Sequence, residues 1–120
     1  MSLPAWKAWL SEKLESPWVR FCGRTPDRVQ RVAVLGGAGG DYIKEAASLG
    51  VDAYVTGEIK YHDALRAQSL GLLVCETGHY WSEYPVISHI VNHLQSCANA
   101  VQYNIEFLCS ETVTCPYFRE

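Results

Sequence analysis

Leu72-Leu73-Val74-Cys75-Glu76-Thr77-Gly78-His79-Tyr80-Trp81-Ser82-Glu83 is the stretch on which the fold turns. Its apolar run of four residues breaks at Gly78 and a helical pattern opens directly afterwards, which predicts a strand feeding a helix. His79 and Glu83 then stand four apart, a spacing that stacks an imidazole and a carboxylate on one helix face. Both follow the carboxyl end of a strand, where open α/β sheets form their ligand crevices. The pair therefore reads as half of a metal site. His and Glu suit Zn, Mn, Fe or Ni better than Ca, and a catalytic site needs three or more protein ligands with one position left open. The nearest further donors are His62, Asp63 and Glu76.

Working outward, Tyr61, His62 and the residues from Ile59 to Ser69 read as a helix with Gly71 as its C-terminal cap, and Asp52-Ala53-Tyr54-Val55-Thr56 as the strand before it, interrupted at Gly57. Val32-Ala33-Val34-Leu35 is a short apolar strand of the kind buried on both sheet faces, ending in Gly36-Gly37-Ala38-Gly39-Gly40-Asp41. Tyr42, Ile43, Ala46, Ala47 and Leu49 then outline a helix closed by Gly50. Upstream, Trp6, Trp9, Leu10 and Leu14 recur at helical spacing until Pro17, and Trp18 to Cys22 alternates as a strand does. Downstream, Val86, Ile87, Ile90, Val91 and Leu94 predict a helix from Glu83 through Ala98 with an apolar face toward a core. Val101 to Leu108 predicts a last strand before an irregular tail. From residue 32 onward the order is strand, helix, strand, helix, strand, helix, strand. That alternation predicts a single α/β domain over residues 1–120, a layered and mostly parallel or mixed sheet flanked by helices. In such a sheet the glycine loop, the Thr56-Gly57-Glu58 turn and the Gly78-His79 turn open at one edge.

Composition sets bounds on function. The chain has 120 residues, 48% hydrophobic and 19% charged, which describes an ordinary globular domain rather than a disordered segment. Its formal charge of −3 carries no basic run, which argues against direct nucleic-acid binding. No apolar segment is long enough to span a membrane and no secretory pattern opens the chain, so a cytoplasmic protein is expected. Cys22, Cys75, Cys97, Cys109 and Cys115 form an odd set without a C-x-x-C pair, and free thiols are the expectation.

The junctions differ in how much chemistry they carry. The glycine loop brings backbone N–H groups close to a ligand at a helix start, yet lacks the Gly-Lys-Ser/Thr ending of a phosphate loop. A tight structural turn and an anion or nucleotide site both remain open there. Around Gly57, Glu58, Lys60 and His62 could place a carboxylate, an ammonium and an imidazole beside a polarised substrate as acid–base groups. Equally, Asp63 or Glu58 could serve the helix start while Lys60 and His62 are solvated. His89 and His93 flank an apolar stripe and read as helix-face residues.

Three segments together resemble a known family. Val32-Ala33-Val34-Leu35-Gly36-Gly37-Ala38-Gly39-Gly40, then Gly50-Val51-Asp52-Ala53-Tyr54-Val55-Thr56-Gly57-Glu58-Ile59-Lys60-Tyr61-His62-Asp63-Ala64, then Gly78-His79-Tyr80-Trp81-Ser82-Glu83 resemble the motifs of the second half of the Nif-three-like proteins. The full name is NGG-one-interacting factor three, and bacterial members are often labelled GTP cyclohydrolase 1 type 2. The resemblance runs from about residue 4 to the end. It implies a Nif-three-like α/β fold, a dinuclear metal centre and assembly as a toroidal hexamer. His79 and Glu83 map onto metal ligands of the family, the glutamate bridging two ions, and Glu58 and His62 onto residues near the metals. The family's first half supplies a His-His pair and an aspartate, neither of which this chain contains. The chain is thus expected to be a fragment, a short relative, or one half docking onto a separately encoded N-terminal-half partner. Activity, where present, would be metal-dependent hydrolysis of a small molecule, with Glu58, Lys60 and His62 as substrate-side groups. The alternative is a non-enzymatic protein-interaction or assembly module, a homo-oligomer using Trp6 and Trp9 as an interface.

Overall fold

The computed structural model describes residues 1–14, 16, 17 and 19–117. It forms two compact units, Met1–Glu83 and Tyr84–Glu120. In the first unit, β1 (Arg20–Gly23), β2 (Val32–Ala38), β3 (Ala53–Glu58) and β4 (Leu73–Glu76) make one sheet in the order β1-β4-β3-β2. The last three run parallel, and β1 is antiparallel to β4. Parallel neighbours require a crossover, and α2 (Ile43–Ser48) and α3 (Tyr61–Ser69) are those crossovers. The result is an α/β fold with a mixed sheet flanked by helices.

Burial follows strand position. Ala53 to Gly57 of β3 and Leu73 to Cys75 of β4 are buried without alternation, as central strands covered on both faces must be. One face packs Ala53, Val55, Leu73 and Cys75 beneath Trp6 and Leu10 of α1 (Leu3–Leu14). The other packs Tyr54, Leu72 and Val74 against Ile43, Ala46 and Ala67. Burial pushes the Cys75 thiol up to about 12, so it behaves as a small apolar side chain rather than a thiolate. Among the described residues all five cysteines are free thiols. β2 lies at the sheet edge, and Val34 is 74% exposed there.

The ends of α3 are set by local hydrogen bonds. The Asp63 carboxylate accepts the Lys60 backbone N–H at 3.1 Å and the Arg66 guanidinium at 3.1 Å, occupying both oxygens. At the other end Gly71 N–H donates to the Gln68 carbonyl and Leu72 N–H to the Ala67 carbonyl, the paired bonds that close a helix on a glycine. Between sheet strands, the Asp52 carboxylate accepts the backbone N–H groups of Gln30 and Arg31 at 2.8 and 2.9 Å, tying the approach to β2 to the start of β3. These two donors, Arg31 first, hold its carboxyl below the ordinary aspartate value. A depressed folded-state value adds stability above the ordinary range and loses it as pH falls through the depressed one. Urea titrations at neutral and strongly acidic pH are expected to show a smaller acid loss in Asp52→Asn than in the wild type.

Several expectations are corrected. The strand expected to end at Leu35 continues through Gly36, Gly37 and Ala38, with a register shift between Leu35 and Ala38. The strand expected to stop before Gly57 runs through Glu58. The helix after the glycines is a 3₁₀ turn, Gly40–Tyr42, followed by the six residues of α2. The single helix expected from Glu83 is two, α4 (His79–Glu83) and α5 (Val86–Ala100). Pro85 separates them, because a proline disfavours helical backbone before it and brings no N–H. In the second unit the α5 residues Val86, Ile87, Ile90 and Leu94 have helical period but are exposed rather than set against a core. No strand forms over residues 101–108: Gln95 of α5 donates to the Ile105 carbonyl and accepts the Phe107 N–H, so the segment hydrogen-bonds back to a helix. Trp6, expected at an interface, is buried edge-on against Phe21, while Trp9 is 46% exposed. Of the expected strand from Trp18 to Cys22, Trp18 lies outside the described residues, as do residues 118–120 of the tail. Among the described residues, no helix is long and apolar enough to cross a membrane.

Candidate metal centre

The ends of β2, β3 and β4 meet α4 on one rim of the sheet. Thr77 N–H donates to the Thr56 carbonyl at 2.9 Å and Gly78 N–H to the Gly57 carbonyl at 2.8 Å, extending the β3 and β4 pairing past the strand ends. Gly37 joins them: its N–H donates to Ser82 Oγ at 2.9 Å and its carbonyl accepts Thr56 Oγ1 at 3.2 Å. Ser82 Oγ in turn donates to the His79 carbonyl at 2.7 Å. The backbone of α4 is therefore pinned to two strands within one turn of His79.

His79 and Glu83 face each other across that turn, with His79 Nε2 3.4 Å from Glu83 Oε1. The other ring nitrogen, Nδ1, lies 3.2 Å from Glu58 Oε1 at the end of β3. Both His79 and Glu83 side chains are about half exposed, at 43% and 56%, so the pair opens to solvent on one side. On the other side stands Gly37. A Cβ at that position would sit 2.6 Å from Glu83 Oε1 and 3.3 Å from His79 Nε2, so only a residue without a side chain leaves both donors in place. Gly57 is equally constrained, with Ser82 Oγ 2.5 Å and the Gly37 carbonyl 2.6 Å from where its Cβ would be.

An imidazole nitrogen and a carboxylate oxygen are the donor types that zinc and its neighbours take. Two donors each about 2.1 Å from one ion stand about 3.4 Å apart in a tetrahedral shell, which matches the observed separation. The residues thus fit two corners of a coordination sphere. They do not complete one: among the described residues no group of three or more His, Cys, Asp or Glu is arranged to hold a metal ion. Of the further donors expected from sequence, Glu76 and Asp63 are engaged elsewhere. One guanidinium nitrogen of Arg20 donates to both Glu76 carboxylate oxygens, at 2.7 and 2.8 Å, and Asp63 caps α3; His62 is exposed, its ring edge-on to Tyr61. Lys60 is exposed at the start of α3. Glu58 is the residue of the acid–base trio that the fold brings to His79.

The glycine segment is not an open anion cradle. Gly37 N–H is taken by Ser82 and Gly39 N–H by the Glu58 carbonyl at 3.3 Å, while the Gly39 carbonyl accepts the Tyr54 hydroxyl at 3.0 Å. Its amides serve the rim, and the following helix is too short to present a strong dipole. Sequence reasoning passed over Gly37 and Ser82 as parts of the site. Ser82 stands three residues after His79, which was a signal for a hydroxyl returning to that carbonyl. Nothing local marks Gly37 out from its glycine neighbours. In the second unit His89 and His93 are exposed on α5, and His93 Nε2 is 3.7 Å from Cys97 Sγ.

Residues 1–116 match the family model Duf34/NIF3 (NGG1p interacting factor 3). The chain is 36% identical over 117 residues to a GTP cyclohydrolase 1 type 2 homolog of Staphylococcus aureus (strain MRSA252), covering 98% of this chain and 32% of that protein. It is 37% identical over 117 residues to the Bacillus subtilis (strain 168) protein of the same name, covering 98% and 31%. Among solved structures, a Staphylococcus aureus hypothetical protein aligns over 100% of this chain and 40% of its own with a TM-score of 0.90 at 35% identity. A Bacillus cereus protein related to NIF3 aligns over 100% and 33% with a TM-score of 0.88 at 32% identity. The chain spans about a third of the length of the curated relatives it matches. With the three strand ends, the rim and this extent of likeness in view, the chain belongs to the Duf34/NIF3 (NGG1p interacting factor 3) family.

Proposed function

We propose that this chain contributes His79 and Glu83 to a site for a divalent transition metal, Zn, Mn, Fe or Ni, and that the assembled site is a metal-dependent hydrolase for a small molecule. The observation that carries the proposal is the 3.4 Å approach of His79 Nε2 to Glu83 Oε1 over a Gly37 that no side chain could replace without displacing them. The relatives' name, GTP cyclohydrolase 1 type 2 homolog, supports hydrolysis as the reaction class. A bound metal would supply a water of lowered pKa and polarise the substrate. Within the chain, His79 and Glu83 hold the ion, Ser82 fixes the α4 backbone, and Lys60 and His62 at the start of α3 are the substrate-side cation and imidazole. Two protein donors are fewer than a catalytic site uses, so the remaining ligands, and a second ion where there is one, come from an N-terminal-half partner or another copy of this chain.

The test is elemental analysis of the purified chain followed by calorimetric titration with zinc and manganese. Wild type is expected to retain and bind the ions and His79→Ala to lose them; equal retention by both, or by neither, overturns the proposal. A second reading, a non-enzymatic assembly module that self-associates, is favoured by the exposed Val86, Ile87, Ile90 and Leu94 on α5. A metal-free oligomer in the same samples, read by sedimentation equilibrium, would favour that reading.

A further inference from the structure

We infer that Glu58 is a positioning residue for His79. The inference rests on the metal reading above but concerns a different atom. A neutral imidazole carries one N–H, and only its bare nitrogen can ligate; the group facing the other nitrogen decides which one that is. Here the two nitrogens face different carboxylates. Nε2 lies 3.4 Å from Glu83 Oε1, one helical turn away and close beside Gly37, and Nδ1 lies 3.2 Å from Glu58 Oε1. Both carboxylates attract the single N–H, and the closer one, at Nδ1, takes it; the Nε2 lone pair is then left for an ion held together with Glu83, and the ring is held against rotation about its Cβ–Cγ bond.

The backbone supports this use of Glu58. It is the last residue of β3, paired with Ala38 beyond the register shift in β2. Its carbonyl accepts the Gly39 N–H at 3.3 Å, so the position from which the carboxylate reaches His79 is fixed by two strands. The bulge thus has a consequence for the site: it sets Gly37 against Glu83 and His79 while Ala38 and Gly39 secure Glu58. His79 is pinned equally, through Gly78 N–H to the Gly57 carbonyl and Ser82 Oγ to its own carbonyl. A carboxylate committed to Nδ1 is not the free base that its place in the Thr-Gly-Glu segment suggested.

The test uses the full chain and two readouts, neither of them activity. The first is the tautomer of His79 in metal-free protein labelled with ¹⁵N-histidine, read from long-range ¹⁵N–¹H correlations at a pH where imidazoles are neutral, the signal being assigned by its absence in His79→Gln. The second is zinc affinity by calorimetry. Wild type is expected to show the Nδ1–H tautomer. Glu58→Ala is expected to lose that preference and to weaken zinc binding about 10- to 100-fold, although His79 and Glu83 are intact. Glu58→Gln keeps an oxygen acceptor and is expected to keep the tautomer and most of the affinity. An Nε2–H tautomer in wild type, or wild-type tautomer and affinity in Glu58→Ala, overturns the inference. So does a Glu58→Gln that falls as far as Glu58→Ala, which would make Glu58 an anionic ligand. If wild type and His79→Ala prove alike in binding no zinc, the metal reading fails, and the tautomer still decides the role of Glu58.

Discussion

Gly37→Ala is expected to weaken zinc binding by at least about tenfold while removing no donor atom. The cause is steric. The added methyl would stand 2.6 Å from Glu83 Oε1 and 3.3 Å from His79 Nε2, so the carboxylate must swing away from the imidazole. Glu83 is a flexible, half-exposed side chain, and its displacement leaves the fold intact. The backbone cost is separate: Gly37 has φ +70°, and an L-residue in that left-handed region costs about 1–2 kcal/mol. Urea denaturation reads that cost and calorimetric titration reads the affinity. Gly36→Ala is the milder comparison, because its φ is not left-handed and its added methyl would meet the Ser82 carbonyl oxygen at 3.3 Å and Glu83 Cγ at 3.6 Å without reaching either donor atom. Equal loss of affinity in both variants would show a general disturbance of β2 rather than a blocked site.

Leu73→Ala is expected to destabilise the protein by about 3 kcal/mol, a large share of the 5–15 kcal/mol typical of a domain. Leu73 is 1% exposed and lies in the central strand β4 among Val55, Cys75, Trp6 and Leu10. Its neighbour across the parallel ladder is Ala53, which is too small to fill the space left behind. Leu73→Met conserves volume and is expected to cost less than about 1.5 kcal/mol. Urea unfolding of the three proteins checks both figures, and a loss under about 1 kcal/mol in Leu73→Ala would contradict the placement of this residue in the core. Such a loss would also loosen the rim, since β4 ends at Glu76 and α4 begins three residues later at His79.

The order of elements from residue 32 to Glu83 was legible because each is announced by local chemistry: continuous apolar runs for β3 and β4, helical spacing for α3, and glycine at the end of α3. The errors fall where glycine or exposed helix intervenes. Gly36-Gly37-Ala38 has no side-chain pattern to mark a strand, yet backbone pairing with β3 carries β2 through it. Val101 to Leu108 has the composition of a strand, but strand structure requires a partner edge, and Gln95 of α5 supplies the hydrogen bonds instead. Glu76 and Asp63 were sensible donor candidates by proximity in sequence. Their partners, Arg20 and Arg66 with the Lys60 amide, show that a carboxylate near a site need not belong to it.

By itself the amino-acid order determined the alternating α/β plan, the family, and the fact that His79 and Glu83 share one helical face, because spacing along a helix or strand is a property of the chain alone. Only the tertiary structure decided that Gly37, 42 residues before His79, lies against both donors, that Glu58 faces the second ring nitrogen, and that β1 runs antiparallel beside β4. Those relations depend on which strand ends a sheet brings together, and side-chain periodicity within a segment carries no term for the distance between segments.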